Sequence, residues 1–119
     1  MIKLVDMIQK EICLLGKTIQ VFLFRTDCGV QIVVAGGDKS HIGAVSIVDG
    51  QGNLVSHVFE GHKDNVISDQ WAVELYEKWA VPVVVSAGIH YDHITPSQIS
   101  TVVETMTTLL KEIENESHA

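Results

Sequence analysis

Positive charge is scarce in this chain, with 8 Lys and Arg against 15 Asp and Glu and a formal net charge of −7. No run of basic residues appears anywhere, so neither the concentrated cationic surface of a nucleic-acid binder nor a match to an anionic bilayer is present. Cysteine is almost absent. Cys13 and Cys28 are the only two, they form no C-x-x-C pair, and isolated thiols of this kind are expected to stay reduced and structural. The longest apolar run, "WAVPVVVSAGI", is broken by proline and serine and is too short to cross a bilayer. The opening stretch "MIKLVDMIQKEI" scatters charges among its apolar residues and lacks a signal-peptide core. These features predict a soluble, cytoplasmic protein. At 119 residues, 46% apolar and 19% charged, it should fold as one domain over 1–119, with an ordered core from about residue 10 to 113.

Periodicity supplies the elements. "KEICLL", "TIQVFLFR", "VQIVVAGG", "IGAVSIVD" and "NLVSHVFE" alternate and are separated by short turns, which reads as five antiparallel strands in a meander. From Asp64 to Ala80 the residues Ile67, Trp71, Leu75 and Trp79 recur every fourth position, a helical stripe. Asp64 or Asn65 is the candidate cap, and Pro82 stops the helix through its effect on Val81. Trp71 and Trp79 belong to the core on this spacing rather than to a ring-stacking site. "PVVVSAGI" is apolar at nearly every position, as a central strand would be. The last helix begins with Thr95, Pro96 and Gln98, a capping box with proline at the first helical position. Its apolar face comprises Ile99, Val102, Val103, Met106, Leu109, Leu110 and Ile113, with Ile94 placed to staple against Ile99.

The order is therefore β-β-β-β-β-α-β-α, an α+β fold with a mostly antiparallel sheet of about six strands and two helices. Phe22, Phe24, Val33 and Ala35 point to the second face of their strands. If both helices cover one face, this second face needs another partner, and self-association into a homodimer or higher oligomer is expected.

Polar residues with chemical potential collect in three turns at strand ends. In "AGGDKSHIGA", Gly36 and Gly37 free the backbone ahead of Asp38, and Lys39 and His41 add positive charge suited to an anion such as a phosphate. Gly43 allows either a close approach of another group or a bulge. In "FEGHKDN", His62 and Lys63 precede a helix start, where N–H groups favour anions. In "SAGIHYDHITP", His90, Asp92 and His93 suggest either metal ligands or a hydrogen-bonded His–Asp pair. A metal set of His41, His90, Asp92 and His93 is one alternative, and His57 and His62 could join a cluster in space. Nucleophilic catalysis has no signature: there is no G-x-S-x-G elbow and no activating context for Cys28.

The combination of "AGGDKSHIGAVSI", "GHKDN" and "VVVSAGIHYDHITPSQI" resembles the small D-subunit proteins of gallate and hydroxyarylic-acid decarboxylase systems, the prenylated-flavin chaperone (LpdD-like) family. The likeness runs from about Ile19 to Ile113. Relatives are expected to carry proline at the position of Ser40 and often asparagine at that of His93, which turns attention to His41, His90 and Asp92. The resemblance implies a non-catalytic accessory protein that binds prenylated FMN or FMN and delivers it to a UbiD-type decarboxylase large subunit. The implied cofactor-binding residues are Gly36, Gly37, Asp38, Lys39, His41, His62, Lys63, His90 and Asp92. The fold is also similar to small proteasome-assembly-chaperone-like domains. Two other functions stay open on the residues themselves: an assembly or interaction subunit without a small ligand, and a small metal-dependent enzyme using the loop histidines.

Overall fold

The computed structural model describes residues 4–59 and 64–116. Its strands are β1 (Leu4–Leu14), β2 (Lys17–Thr26), β3 (Gly29–Gly37), β4 (Ala44–Val48), β5 (Leu54–Val58) and β6 (Val83–His90). The helices are α1 (Asn65–Trp79), before β6, and α2 (Pro96–Glu116), after it. The element order is the one expected from the pattern, although β1 starts at Leu4 rather than at Lys10 and α2 runs to Glu116. The charges scattered through the opening stretch hide the first part of this strand, whose ladder with β2 continues back through Met7, opposite Phe24.

The sheet order is β1-β2-β3-β6-β4-β5. A meander of five consecutive strands is therefore not what forms. β4 does not pair with β3, because β6 enters between them, parallel to β3 and antiparallel to β4. The reason is burial. Val83, Val85 and Ala87 are fully buried, and a strand this apolar is best placed near the middle of a sheet. The loop 38–43 must then cross over the end of β6 to reach β4.

Both helices cover one face. Ile19, Val21 and Leu23 of β2, Val30, Ile32 and Val34 of β3, and Val83 and Val85 of β6 share one buried cluster with Trp71 and Leu75 of α1 and Met106, Leu110 and Ile113 of α2. The four-residue stripe of α1 is buried as its spacing predicts. Trp71 and Trp79 belong to this core, and the guanidinium of Arg25 lies 4.5 Å from the centre of the Trp79 ring. A polar network, buried at Ser46 and Ser68 and open to solvent at Ser56, fixes the start of α1 to the sheet. Ser46 donates from β4 to the Asp69 carboxylate at 2.5 Å and lies 2.6 Å from Ser68 Oγ. Ser56 of β5 donates to the same carboxylate.

α2 starts as the capping box requires. The Thr95 N–H donates to Gln98 Oε1 at 2.9 Å and the Gln98 N–H to Thr95 Oγ1 at 3.2 Å. α1 does not follow its expected capping. Asp64 is the N-cap residue but makes no side-chain cap bond; its carboxylate is directed to the sheet instead.

Among the described residues, the other face of the sheet carries no helix. One row across it reads Met7, Phe24, Gln31, Val84, Ile47, Val55; the next reads Gln9, Phe22, Val33, Ser86, Val45, His57. Neither row contains a lysine, arginine, aspartate or glutamate. Phe24, Val33, Ile47 and Val55 are all exposed there. His57 therefore lies on this face, its ring edge-on to Phe59 at 4.7 Å, and not among the loop residues discussed next.

Candidate functional site

The crossing of loop 38–43 over β6 gathers the polar turns at one end of the sheet, where β3 and its parallel neighbour β6 both finish. Gly36 and Gly37 are the last residues of β3, opposite Ile89 and His90. The Asp38 N–H donates to the His90 carbonyl at 2.7 Å, and the Gly43 N–H to the Ala87 carbonyl at 2.9 Å. The loop is thus stitched to β6 at both of its ends, with His41 between the stitches.

Four of the residues singled out in the sequence meet here. Asp38 Oδ2 accepts the Asp92 N–H at 2.9 Å, and its other oxygen lies 3.4 Å from Lys17 Nζ. His90 Nε2 is 2.9 Å from Asp92 Oδ1. With the proton on Nε2, His90 donates to Asp92 and keeps Nδ1 as an acceptor. The His41 and His90 rings meet edge to face, 5.9 Å apart. Lys39 is exposed on the outer side of the loop, and its carbonyl is 3.3 Å from His41 Nδ1. His93 is also exposed, with left-handed backbone at φ 55°; asparagine, the residue expected there in relatives, tolerates this conformation well. His62 and Lys63 lie outside the described residues.

The residue that the sequence reading undervalued is Asp64. Treated there only as a helix cap, it is buried at the centre of the site. Its Oδ1 accepts the Ile89 N–H at 3.1 Å and its Oδ2 is 3.3 Å from His41 Nε2. Gly43 makes this possible, since a Cβ at that position would lie 1.8 Å from Asp64 Oδ2. Of the two roles open to Gly43, close approach is the one realised. The signal was present but ambiguous: an aspartate ahead of a helix normally reads as a cap.

Beside the polar rim an apolar cleft of about 360 Å³ opens between the two helices. Ile67 of α1, Ile89 and Tyr91 at the end of β6, and Ile99 and Val102 of α2 line it, with Asp64 and His90 at one wall. Ile99 is 48% exposed, so the residue expected to complete the core face of α2 faces this cleft. The Tyr91 hydroxyl donates to the Leu14 carbonyl at 2.6 Å, and burial, aided by the charge of Asp38 and by Cys13, raises its pKa.

Among the described residues no group of three or more His, Cys, Asp or Glu side chains is arranged to hold a metal ion. The rim instead presents imidazole and carboxylate groups already oriented by one another, next to a wall of branched aliphatic side chains. That combination suits a planar ligand with one polar and one apolar edge.

The Asp38 clasp has a pH signature. The hydrogen bond from the Asp92 N–H, reinforced by Lys17, holds the Asp38 carboxyl below its ordinary value of 3.8. A pKa lowered by folding contributes stability above the ordinary value, and that contribution is lost as pH falls through the folded value. Asp38→Asn should therefore lower the melting temperature at neutral pH, and the gap to wild type should narrow below about pH 4. Thermal unfolding followed by circular dichroism across an acid series tests this; a gap of constant size would show that the charge of Asp38 is not what clasps the loops.

The fold is that of a proteasome-assembly chaperone: the chain is similar, with a TM-score of 0.62 and 17% identity, to a structure described as a novel chaperone complex for yeast 20S proteasome assembly, over 96% of this chain and 98% of that one. At that identity the likeness concerns the fold alone. The family follows from sequence. Residues 15–118 match the model of the prenylated flavin chaperone LpdD-like domain, and the chain belongs to that family. It is also 36% identical over 90 residues to Protein LpdD of Lactiplantibacillus plantarum (strain ATCC BAA-793 / NCIMB 8826 / WCFS1), covering 71% of this chain and 66% of the relative, just under two thirds of its length.

Proposed function

We propose that this protein is a non-catalytic, cytoplasmic accessory protein that holds prenylated FMN or FMN at the end of β3 and β6 and passes it to a UbiD-type decarboxylase large subunit. The observation that carries the reading is the junction of His41, His90 and Asp92 with the aliphatic cleft, in a chain whose family is that of prenylated flavin chaperones. A flavin tricycle has a hydrogen-bonding pyrimidine edge and an apolar benzenoid edge, and the rim and cleft offer one surface for each. The residues present therefore fit the cofactor. When bound, the flavin brings the redox and adduct-forming chemistry of its ring. The protein's part is to bind, orient and shield it.

Within this reading the residues divide by role. His90, held by Asp92, and His41, held by Asp64, address the polar edge of the ring. Lys39 is the cation for the phosphate. Gly36, Gly37 and Asp38 act through the loop they shape rather than as a nest of free N–H groups, because the Asp38 N–H is already given to the His90 carbonyl. His62 and Lys63 complete the proposed set on the strength of their place before α1.

Flavin fluorescence tests the reading. Titration of the purified protein with prenylated FMN and with FMN should give saturable quenching with a dissociation constant on the order of micromolar, about −8 kcal/mol. His90→Ala should weaken binding about tenfold or more, the cost of removing one oriented hydrogen-bonding group from a part-buried site. A folded protein that quenches neither flavin would remove the cofactor from the account and leave protein partnership as the function.

A second element of the proposal is self-association. The uncharged rows on the open sheet face favour a homodimer in which two copies bury these faces against each other. In a chain of net charge −7, two copies are least repelled where neither presents a charge.

A further inference from the structure

We infer that the cleft between α1 and α2 is a specificity pocket for the hydrocarbon that prenylation adds to the flavin, so that the protein distinguishes prenylated from unmodified FMN. This rests on the flavin-holding reading above and deepens it.

Three observations carry the inference. First, the part of the lining contributed by the helices, Val66, Ile67, Ile99, Val102 and Val103, and by Ile94 just ahead of α2, is entirely branched aliphatic. Such a surface gains from a compact saturated group and has no donors for a sugar or a phosphate. Second, the carboxylate in the polar wall of the cleft is already committed. Both oxygens of Asp64 are engaged, one by the Ile89 N–H and one by His41, and the residue is only 8% exposed. A buried carboxylate at this wall repels a phosphate and directs it outwards, towards exposed Lys39. The ligand can then enter in one sense only, hydrocarbon first. Third, α2 leaves Ile99 nearly half exposed in the cleft although it belongs to the apolar face of the helix. A side chain that would otherwise complete the core is available to a ligand.

Prenylation adds five carbons to the ring system. Each buried methylene is worth roughly a factor of four in a binding constant, so partial burial predicts that prenylated FMN binds about tenfold or more tightly than FMN. Ile99→Trp, which places an indole in the cleft without removing a core residue, should weaken prenylated FMN more than FMN and so reduce this preference to about nothing.

The experiment pairs two readouts on the full chain. Flavin fluorescence titrations are run with prenylated FMN and FMN on wild type and Ile99→Trp. Isoleucine-methyl NMR spectra of wild type are recorded through the same titration. The inference expects a preference for prenylated FMN, its loss in Ile99→Trp, and shifts of the Ile67, Ile89, Ile94 and Ile99 methyls while Ile47 on the open face stays still. Prenylated FMN bound with the cleft methyls unmoved, or with the preference intact in Ile99→Trp, overturns the pocket but leaves flavin holding in place. No quenching by either flavin in wild type overturns both.

Discussion

Gly88→Ala is expected to lower the melting temperature by about 10 °C or more, the largest effect of any single methyl group added at the site. Gly88 lies in the middle of the stretch of β6 that loop 38–43 crosses. A Cβ there would stand 1.5 Å from the His41 carbonyl oxygen and 2.4 Å from its carbon. The obstacle is backbone, so no rotamer change relieves it. The loop cannot lift away freely either, because the Asp38 and Gly43 N–H groups tie it to β6 on both sides of the clash. Overpacking in a well-fixed region costs about 1–3 kcal/mol and sometimes more, and loss of the stitching hydrogen bonds would add about 1 kcal/mol each. Differential scanning calorimetry checks the prediction. Gly50→Ala is the control: a Cβ there meets nothing nearer than Pro82 Cγ at 3.8 Å, and its effect should stay within about 0.5 kcal/mol. Equal melting temperatures for the two variants would mean that the loop does not sit where the structure places it.

Val33→Glu is expected to abolish self-association without unfolding the protomer. Val33 occupies the middle of the open face, 44% exposed, between Phe22 and Ser86 in its row. Six strands spaced about 4.8 Å apart, each five or more residues long, offer a plane on the order of 600 Å². Side-chain relief brings this close to the roughly 800 Å² per partner of a standard stable interface. A carboxylate at its centre would be buried without a counter-charge and, in a two-fold pair, brought near its own copy. Burying an unpaired charge costs several kcal/mol, so the dimer dissociation constant should rise by a factor of about 100 or more. Sedimentation velocity should find wild type as a dimer and Val33→Glu as a folded monomer at the same concentration. A monomeric wild type would rule out the open face as a site of self-association.

Much of this architecture was legible from the chain alone because each helix carries redundant signals. The capping box at Thr95 and Gln98 fixed the start of α2 to the residue, and the four-residue spacing from Ile67 to Trp79 described the buried face of α1. Strand identities followed from alternation, but strand pairing did not. Alternation says which face a residue occupies and nothing about which strand lies alongside, so the insertion of β6 between β3 and β4 could be inferred only weakly, from its continuous apolarity. The site shared that fate. Asp38, His41, His90 and Asp92 were recognisable as unusual polar content at strand ends, and their meeting depends on the crossover. Asp64 was legible only as a cap because its chemistry at the site is set by Gly43 and Ile89, distant in sequence, whereas its local context is that of an ordinary cap. His93 drew attention as a third polar residue in its turn, and in the structure it serves a left-handed backbone position.

The late arrival of β6 has a consequence for how the molecule comes into being. Until residues 83–90 are in place, β1–β3 and the β4–β5 hairpin are two separate sheets with no ladder between them. Closing that gap requires contacts over long sequence separations, which slow folding. The loop crossing, the His41–His90 contact and the Asp64 bond to Ile89 all depend on that same strand. A nascent or partly unfolded chain therefore lacks the candidate site altogether, and the flavin binding proposed for it would be a test that only a completed sheet could pass.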